Sequence, residues 1–392
     1  MMKKIKSFFV RVYCHKIDRL FRIVIAFLLR KKRLKDIIII ESHNDFDCNG
    51  GAFYDYLIRN GYNKKYKIIW LLKNKHIPIL PANVKCFQMK KPSIRKDYYI
   101  CSAKFILADN YIVEKTRREQ KIIYCTHGAG GLKNVKGQLV IPSYVDYVLF
   151  QSERYAPIQA NQYSMEFPSK RIVYLGYPVH DVLNSKNEEI KKITSKTYNK
   201  VIIWMPTFRK KIGNTNRIDS AADYPLGIPL LEDIEQYKKL NGFLKEKNSL
   251  IIIKLHPMQR LDDLKISDCT NIKVLTGESV KKLNVDNYRL MSCTDALISD
   301  YSGVAYEYLQ LNRPIAYVLS DMKEYKLGFV VEDISKLMAG PGIFKYNDLI
   351  RFLDDVIQEK DLFKETREKI RDYIYEYHDT NNCKRLASFL RL

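Results

Sequence analysis

From Asp36 onward, short apolar runs alternate with longer segments of mixed polarity. This alternation predicts a parallel β-sheet with helices between its strands, because strands that are buried on both faces are apolar along their whole length. Helices are predicted at 52–59 and 93–102. In the first half of the chain, the predicted strands are 37–40, 67–72, 105–108, 122–125, 147–150 and 172–175.

A second set of the same kind follows the polar stretch 184–200. We therefore predict an α/β protein with two doubly wound, Rossmann-like domains, 34–190 and 191–360, that face each other across a cleft. Residues 361–392 are predicted to form helices that pack back on the first domain. The predicted strands of the second set are 201–205, 250–255, 272–275, 296–298 and 315–318, and its helices are 230–247, 303–311 and 347–358.

The segment 1–33 mixes basic and apolar side chains. Its apolar run, 23–29, is far shorter than the roughly 20 residues needed to span a bilayer, and no small-residue cleavage site follows it. The mixture predicts an amphipathic basic helix on an anionic membrane surface, and hence a peripheral protein at the cytoplasmic face of the cell membrane. A basic helix packed on its own domain is the alternative.

The composition fits a packed globular protein, since 46% of the residues are apolar. Lys and Arg outnumber Asp and Glu by 67 to 44, and the resulting charge of +23 favours polyanionic partners. Nucleic acid is the least favoured of these, because no nucleic-acid-binding motif accompanies the charge. The eight cysteines are scattered without a CxxC pair, which indicates reduced thiols of a cytoplasmic protein and no metal site.

A histidine follows the predicted strand 122–125, in the sequence THGAGG at 126–131. His127 would lie at the mouth of the cleft, where glycines let the backbone approach a ligand closely. Imidazole titrates near neutral pH, as a general base for an alcohol requires. A hydrogen-bonded structural histidine is an equally good interpretation of this residue alone.

Two strand ends of the second domain carry cations. Lys254 and His256 alternate along the end of the strand 250–255, so both can face the same side of the sheet and hold a pyrophosphate. Thr207 and Arg209 follow the strand 201–205, and the guanidinium suits bidentate contacts to phosphate. A chance strand-end histidine and a solvated basic loop are the alternatives.

The strand 296–298 breaks into a hydroxyl-rich turn, SDYSG at 299–303, and then into a helix. Ser302 is predicted to be the N-cap of this helix, and Ser299 together with the helix N–H groups would bind phosphate oxygens. Glu307 lies in the first turns of the helix, within reach of a ribose diol. Capping alone is the alternative.

These segments follow one another as HG at 127–128, WxPTxR at 204–209, HP at 256–257 and SDxS at 299–302 with a downstream glutamate. In this order the chain resembles the CDP-glycerol glycerophosphotransferase family, whose members prime or polymerise teichoic acids on a GT-B fold. The resemblance extends through an acidic, RGFY-like and PGP-like stretch at 321–342. It departs from the family pattern at Thr126, where tryptophan is usual, and at 176–181, where GYPVHD replaces GxPRND.

The resemblance implies that an acceptor hydroxyl attacks the β-phosphorus of CDP-glycerol or CDP-ribitol and that CMP leaves. His127 would be the general base, while His256 would neutralise the developing charge with Lys254 and Arg209. The acceptor would be a lipid-linked polymer or disaccharide, and no cofactor or metal is expected. The implied CDP-alcohol-binding residues are Thr207, Arg209, Lys254, Ser299, Asp300, Ser302, Gly303 and Glu307, and the implied acceptor or phosphate loop is Gly128, Gly130 and Lys133.

Two other functions fit parts of the pattern. A GT-B glycosyltransferase that uses a nucleotide sugar would have the same fold, because this fold does not distinguish sugar donors from alcohol-phosphate donors. The second is a non-catalytic basic protein that binds membrane or polymer, for which His127 and His256 would be dispensable.

Overall fold

The computed structural model of the protein describes residues 17–74, 79–126, 130–208, 220, 222, 224–259, 261–262 and 264–392. Within these residues the chain forms two parallel β-sheets with helices on their faces, and the sheets belong to successive parts of the sequence. The predicted α/β class with two doubly wound domains is confirmed.

The first sheet has the strand order β3-β2-β1-β4-β5-β6-β7. The order reverses between β1 and β4, and such a reversal opens a crevice at the carboxyl ends of the strands where ligands of doubly wound sheets bind. The strands are β1 (Lys35–Glu41), β2 (Lys67–Leu72), β3 (Val84–Gln88), β4 (Ala103–Ala108), β5 (Lys121–Tyr124), β6 (Tyr147–Leu149) and β7 (Ile172–Val173). The helices of this part are α1 (17–29), α2 (Cys48–Arg59), α3 (Ile94–Ser102), α4 (Ala156–Gln162) and α5 (Pro178–Leu183).

The second sheet has the order β10-β9-β8-β11-β12-β13 and reverses between β8 and β11. The strands Ser249–Lys254, Ala296–Ser299 and Ile315–Val318 are buried along their whole length, which explains their apolar runs. The strands are β8 (Lys200–Trp204), β9 (Ser249–Lys254), β10 (Ile272–Leu275), β11 (Ala296–Ser299), β12 (Ile315–Val318) and β13 (Gly342–Ile343). The helices are α6 (Ile234–Glu246), α7 (Gly277–Lys282), α8 (Asn287–Ser292), α9 (Val304–Tyr308), α10 (Tyr346–Ile357), α11 (Lys364–Ile374) and α12 (Asn382–Phe389).

The apolar pattern located the central strands of both sheets but missed two edge strands. Val84–Gln88 has one buried residue, an exposed lysine and three half-buried residues, so its sequence has no long apolar run. Gly342–Ile343 is only 2 residues long. Helix α2 begins at Cys48, four residues before the predicted start, because Gly50 and Gly51 lie in its first turn despite their poor helix propensity.

Helix α1 packs on α3 with one side and exposes an apolar stripe on the other. The packed side is held by ion pairs of Lys96 with Asp18, at 2.5 Å, and of Arg22 with Asp97, at 2.8 Å. The exposed stripe has the i, i+3, i+4 spacing of one helix face and consists of Leu20, Ile23, Val24, Phe27 and Leu28, each 48–69% exposed. Residues 1–16 of the predicted amphipathic segment lie outside the described residues. Within the part that is described, no helix has the length and apolarity required to cross a membrane.

The C-terminal helices return to the first part of the chain, where α12 contacts α2 and α5. Asp181 of α5 accepts the backbone N–H groups of Asn382 and Cys383, at 3.0 and 2.8 Å, and thereby caps the start of α12. At the end of α11, the Tyr375 hydroxyl donates to the Tyr306 carbonyl of α9 at 2.9 Å, which ties the C-terminal helices to the second part of the chain as well. We propose that residues 361–392 complete the domain 34–190 and that 191–360 forms the other domain.

Candidate active site

The loop that follows β5 is paired with the second domain. Lys133 forms an antiparallel bridge with Phe329. On either side of this bridge, Asn134 N–H donates to the Gly328 carbonyl at 3.0 Å and Val330 N–H donates to the Leu132 carbonyl at 2.9 Å. The loop carrying the predicted acceptor residues Gly130 and Lys133 is therefore held against the domain that carries the predicted donor residues.

Glycines allow this loop to touch the hydroxyl-rich turn 299–303. A Cβ atom on Gly303 would lie 2.0 Å from the Gly130 carbonyl oxygen, and one on Gly131 would lie 2.8 Å from the Gly303 nitrogen. Both separations are shorter than any side-chain carbon tolerates, so the backbones meet only because these positions lack side chains. The structure thus brings Gly130 and Gly303, which were predicted from separate motifs, into contact.

Asp300 ties the turn to the end of β8. Its buried carboxylate accepts the Thr207 N–H at 2.8 Å, the Thr207 hydroxyl at 2.5 Å and the Ser302 N–H at 3.2 Å. The Ser299 hydroxyl donates to the Met205 carbonyl at 3.1 Å, which adds a second tie. These bonds join the ends of β8 and β11 where the strand order reverses, the usual ligand position of this fold.

The predicted N-cap was wrong by one residue, because Gly303 is the N-cap of α9. The Ser302 hydroxyl accepts the Val304 N–H, two residues ahead, at 3.4 Å. That spacing is typical of a serine turn that precedes a helix rather than of a cap.

Lys254 and His256 occupy the end of β9 at different depths. Lys254 is buried, and this burial lowers the pKa of its ammonium group to about 8. Among the described residues, no carboxylate lies within ion-pair distance of this ammonium group. His256 is exposed, and its Nδ1 accepts the Met258 N–H at 3.0 Å, so the proton of the neutral ring lies on Nε2.

Glu307 lies in a buried contact between the two domains. Its Oε2 is 2.6 Å from Nε2 of His180, which belongs to α5 of the first domain. The sequence pattern predicts that Glu307 binds the ribose, and it gives no role to His180. The sequence feature that could have drawn attention to His180 was the departure of 176–181 from the family pattern.

Aromatic side chains pack against Tyr301 in the turn 299–303. The Tyr301 ring lies 4.2 Å from that of Tyr325 and 5.2 Å from that of Phe329, measured between centroids. The Tyr301 hydroxyl donates to Asp321 at 3.1 Å. The stretch 321–342, recognised from sequence only as a family resemblance, thus includes the packing support of the turn.

Two carboxylates lie at the carboxyl ends of β1 and β4, where the strand order of the first sheet reverses. Glu41, at the end of β1, accepts the backbone N–H groups of 109–111 at 3.0–3.2 Å and has the Lys73 ammonium group 2.5 Å from its other oxygen. Asp109 follows β4 and accepts the Gly50 N–H at 2.8 Å. Burial raises the pKa of Asp109 well above its usual range. Neither residue was identified from the sequence, although the glutamate that ends the apolar run IIIIE was a usable signal.

Three predicted site residues, His127, Gly128 and Arg209, lie outside the described residues. The others are described and fall into two groups that meet at the contact between Gly130 and Gly303. Within the described ranges, no three or more His, Cys, Asp or Glu side chains are grouped so that they could hold a metal ion.

Sequence comparisons identify relatives along almost the whole chain. The model of the family described as CDP-Glycerol:Poly(glycerophosphate) glycerophosphotransferase matches residues 22–391. The teichoic acid glycerol-phosphate primase of Bacillus subtilis (strain 168) is 27% identical, over 99% of this chain and 98% of that protein. The teichoic acid ribitol-phosphate polymerase TarL of Staphylococcus aureus (strain NCTC 8325 / PS 47) is 24% identical, over 88% of this chain and 60% of that protein.

The fold is also that of a solved relative. The structure of the wall teichoic acid polymerase TagF superposes with a TM-score of 0.72 at 19% identity and covers 100% of this chain and 98% of that one. This likeness confirms the GT-B arrangement of the two domains. Because the family model spans nearly every residue of the two domains and of the C-terminal helices, the chain belongs to the CDP-glycerol:poly(glycerophosphate) glycerophosphotransferase family.

Proposed function

We propose that this protein transfers glycerol-phosphate or ribitol-phosphate from a CDP-alditol to a hydroxyl group of a teichoic acid acceptor and releases CMP. Membership of the family and the names of the relatives support this reaction class. The observation that carries the proposal is the contact of the loop 130–134 with the turn 299–303. This contact places the segment that follows His127 beside the predicted phosphate-binding turn.

The donor is assigned to the crevice of the second sheet. The pyrophosphate lies at the turn 299–303, whose shape is maintained by Asp300 and Thr207. The Lys254 ammonium group and the Arg209 guanidinium neutralise the charge that builds up on the oxygen bridging to CMP, and the His256 Nε2–H stabilises it by a hydrogen bond. Glu307 is assigned to the ribose, and its bond to His180 sets the direction of its carboxylate.

The acceptor is assigned to the first domain. His127 removes the proton from the attacking hydroxyl as the new P–O bond forms, and Gly128, Gly130 and Lys133 lie along the path of the acceptor. Electrostatic stabilisation and positioning account for most of phosphoryl-transfer catalysis. A fixed distance between the two loops therefore favours the reaction, because it keeps the reacting groups aligned.

The protein is also assigned to the cytoplasmic face of the cell membrane, as a peripheral protein. The exposed apolar stripe of α1 supports this assignment, together with the basic cluster 30–33 that follows it. Side chains of both kinds bind an anionic lipid surface, the first by burial and the second by charge. Attachment there would bring the site to a lipid-linked acceptor.

The reaction is tested by incubating the purified protein with CDP-glycerol or CDP-ribitol and a teichoic acid acceptor. CMP should appear with one of these donors and only when the acceptor is present. A nucleotide-sugar glycosyltransferase would instead release a nucleoside diphosphate from a sugar donor. A non-catalytic protein would release neither product.

The two proposed histidines are tested in the same assay. His127→Ala and His256→Ala should each lower kcat by at least about a hundredfold, the usual effect of losing a general acid–base or charge-stabilising group. His378→Ala is the control, because His378 is partly exposed and pairs with Asp372 away from the site. If either site variant turns over within a few-fold of the wild-type rate, the role assigned to that histidine is wrong.

A further inference from the structure

Asn49 connects three elements of the first domain with one buried side chain. It is the second residue of α2 and is 3% exposed. Its Nδ2 donates to the carbonyl oxygens of Cys125 and Thr126, at 3.3 and 3.1 Å, and its Oδ1 accepts the Val179 N–H at 3.1 Å. The amide therefore joins α2 to the chain beyond β5 and to the start of α5, using both of its polar ends.

Thr126 adopts a backbone conformation that its side chain disfavours. Its φ is +63°, in the left-handed region where a branched Cβ crowds the backbone. Such a conformation persists only where the surroundings hold it. The Asn49 amide provides this restraint through its bond to the Thr126 carbonyl, and the Thr126 side chain is itself buried.

The restrained carbonyl belongs to the peptide bond that leads into residue 127. The backbone conformation of Thr126 therefore sets the direction in which the chain continues beyond it. We propose that Asn49 is a positioning residue that keeps Thr126 in its left-handed conformation, and that catalysis by His127 depends on this conformation. This inference rests on the proposed function of His127.

Asn49→Ala removes both donors and leaves the carbonyls of Cys125 and Thr126 without their amide partner. We expect kcat for CMP release to fall by about a hundredfold, the scale of a displacement of about 1 Å at the reacting groups. The donor KM should stay within about twofold, because Asn49 belongs to the first domain and the donor crevice to the second. Asn60→Ala is the matched control, since Asn60 lies exposed at the end of α2 and bonds only locally to the Tyr56 carbonyl.

A rescue experiment separates positioning from stability. Glycine adopts positive φ without strain, so Thr126→Gly in the Asn49→Ala background should restore kcat by at least about tenfold. A loss of stability would instead lower the fraction of folded protein. The amplitude of the thermal unfolding transition measures this fraction, and kcat is then calculated per folded molecule. If Asn49→Ala does not fold, Asn49→Ser provides the same comparison with a smaller cavity.

The outcomes distinguish this inference from the proposed function. A folded Asn49 variant with wild-type kcat overturns the positioning role while His127→Ala remains inactive. A loss of kcat that Thr126→Gly does not relieve also overturns it, because the strain at Thr126 would then not be what Asn49 controls. If the wild-type protein releases no CMP, or if His127→Ala is fully active, the proposed function itself fails.

Discussion

At the residue scale, Lys254 is unusual because its ammonium group is buried. Its side chain is 4% exposed, and burial lowers the pKa to about 8. Proteins rarely bury a lysine without an acidic partner, because the charged form loses its hydration. An anionic pyrophosphate bound nearby would compensate for this loss, so the absence of a carboxylate partner among the described residues fits a site that receives its negative charge from the donor.

This arrangement predicts a pH-dependent donor affinity. Lys254 is protonated below pH 8 and loses its charge as the pH rises through about 8, so the donor KM should rise between pH 7.5 and pH 9, by at most about tenfold per pH unit. Lys254→Met should have a higher KM throughout and a flatter profile over this range. Lys238→Met, at an exposed site on α6, is the control. A wild-type KM that does not change across this range would remove Lys254 from the donor site.

At the element scale, α1 has one face that packs on its own domain and an opposite face that exposes apolar side chains. One side is occupied, since ion pairs to Lys96 and Asp97 fasten it to α3. The helix can therefore remain attached to its domain while the stripe of Leu20, Ile23, Val24, Phe27 and Leu28 faces outward. The two interpretations of the basic segment, packing on its own domain and binding a membrane surface, are compatible because they use opposite faces.

The stripe predicts reversible binding to anionic vesicles. Replacing Ile23 and Phe27 by Glu should abolish co-sedimentation of the protein with such vesicles, because charge at the centre of the stripe opposes burial in the lipid interface. CMP release with a short soluble acceptor should be unchanged. Ile234→Glu provides the comparison, since Ile234 is an exposed apolar residue at the start of α6. Undiminished sedimentation of the double variant would place the attachment elsewhere on the basic surface.

At the scale of the whole molecule, the two domains are joined by backbone contacts rather than by a hinge alone. The bridge between Lys133 and Phe329 and the contact of Gly131 with Gly303 both cross the cleft at the proposed site. Backbone atoms in van der Waals contact leave little freedom in the separation of the two loops. The separation of the loop 130–134 from the turn 299–303 is therefore set by the domain interface.

Gly303→Ala tests this dependence. Its Cβ would lie 2.0 Å from the Gly130 carbonyl oxygen, so the loops must separate. We expect kcat to fall by about a hundredfold, because alignment of the reacting groups is lost. Gly242→Ala is the control, since nothing lies within 4 Å of its added Cβ and alanine favours its helix. Wild-type kcat in folded Gly303→Ala protein would show that the loop separation does not govern the reaction.

The sequence predicted the features that depend on local patterns. Uninterrupted apolar runs such as Ile251–Ile253 identified the buried strands, and the residues after them identified the ends that carry His256 and Ser299. Contacts between distant segments were not predictable in this way, because hydrogen-bonding geometry leaves no periodic trace in one sequence. The bond of Asn49 to the Thr126 carbonyl, across 77 positions, and the pairing of His180 with Glu307, across 127, are contacts of this kind.

The capping of α12 by Asp181 also constrains how the protein is made. The two partners are separated by 201 positions, so a ribosome that has synthesised all strands of the first sheet must still add the entire second domain before Asn382 exists. During that interval, the surfaces of α2 and α5 that α12 later covers face the solvent or a chaperone. The helices α2 and α5 are therefore synthesised early and covered late, and the apolar surface that α12 covers is exposed to aggregation while the second domain is translated.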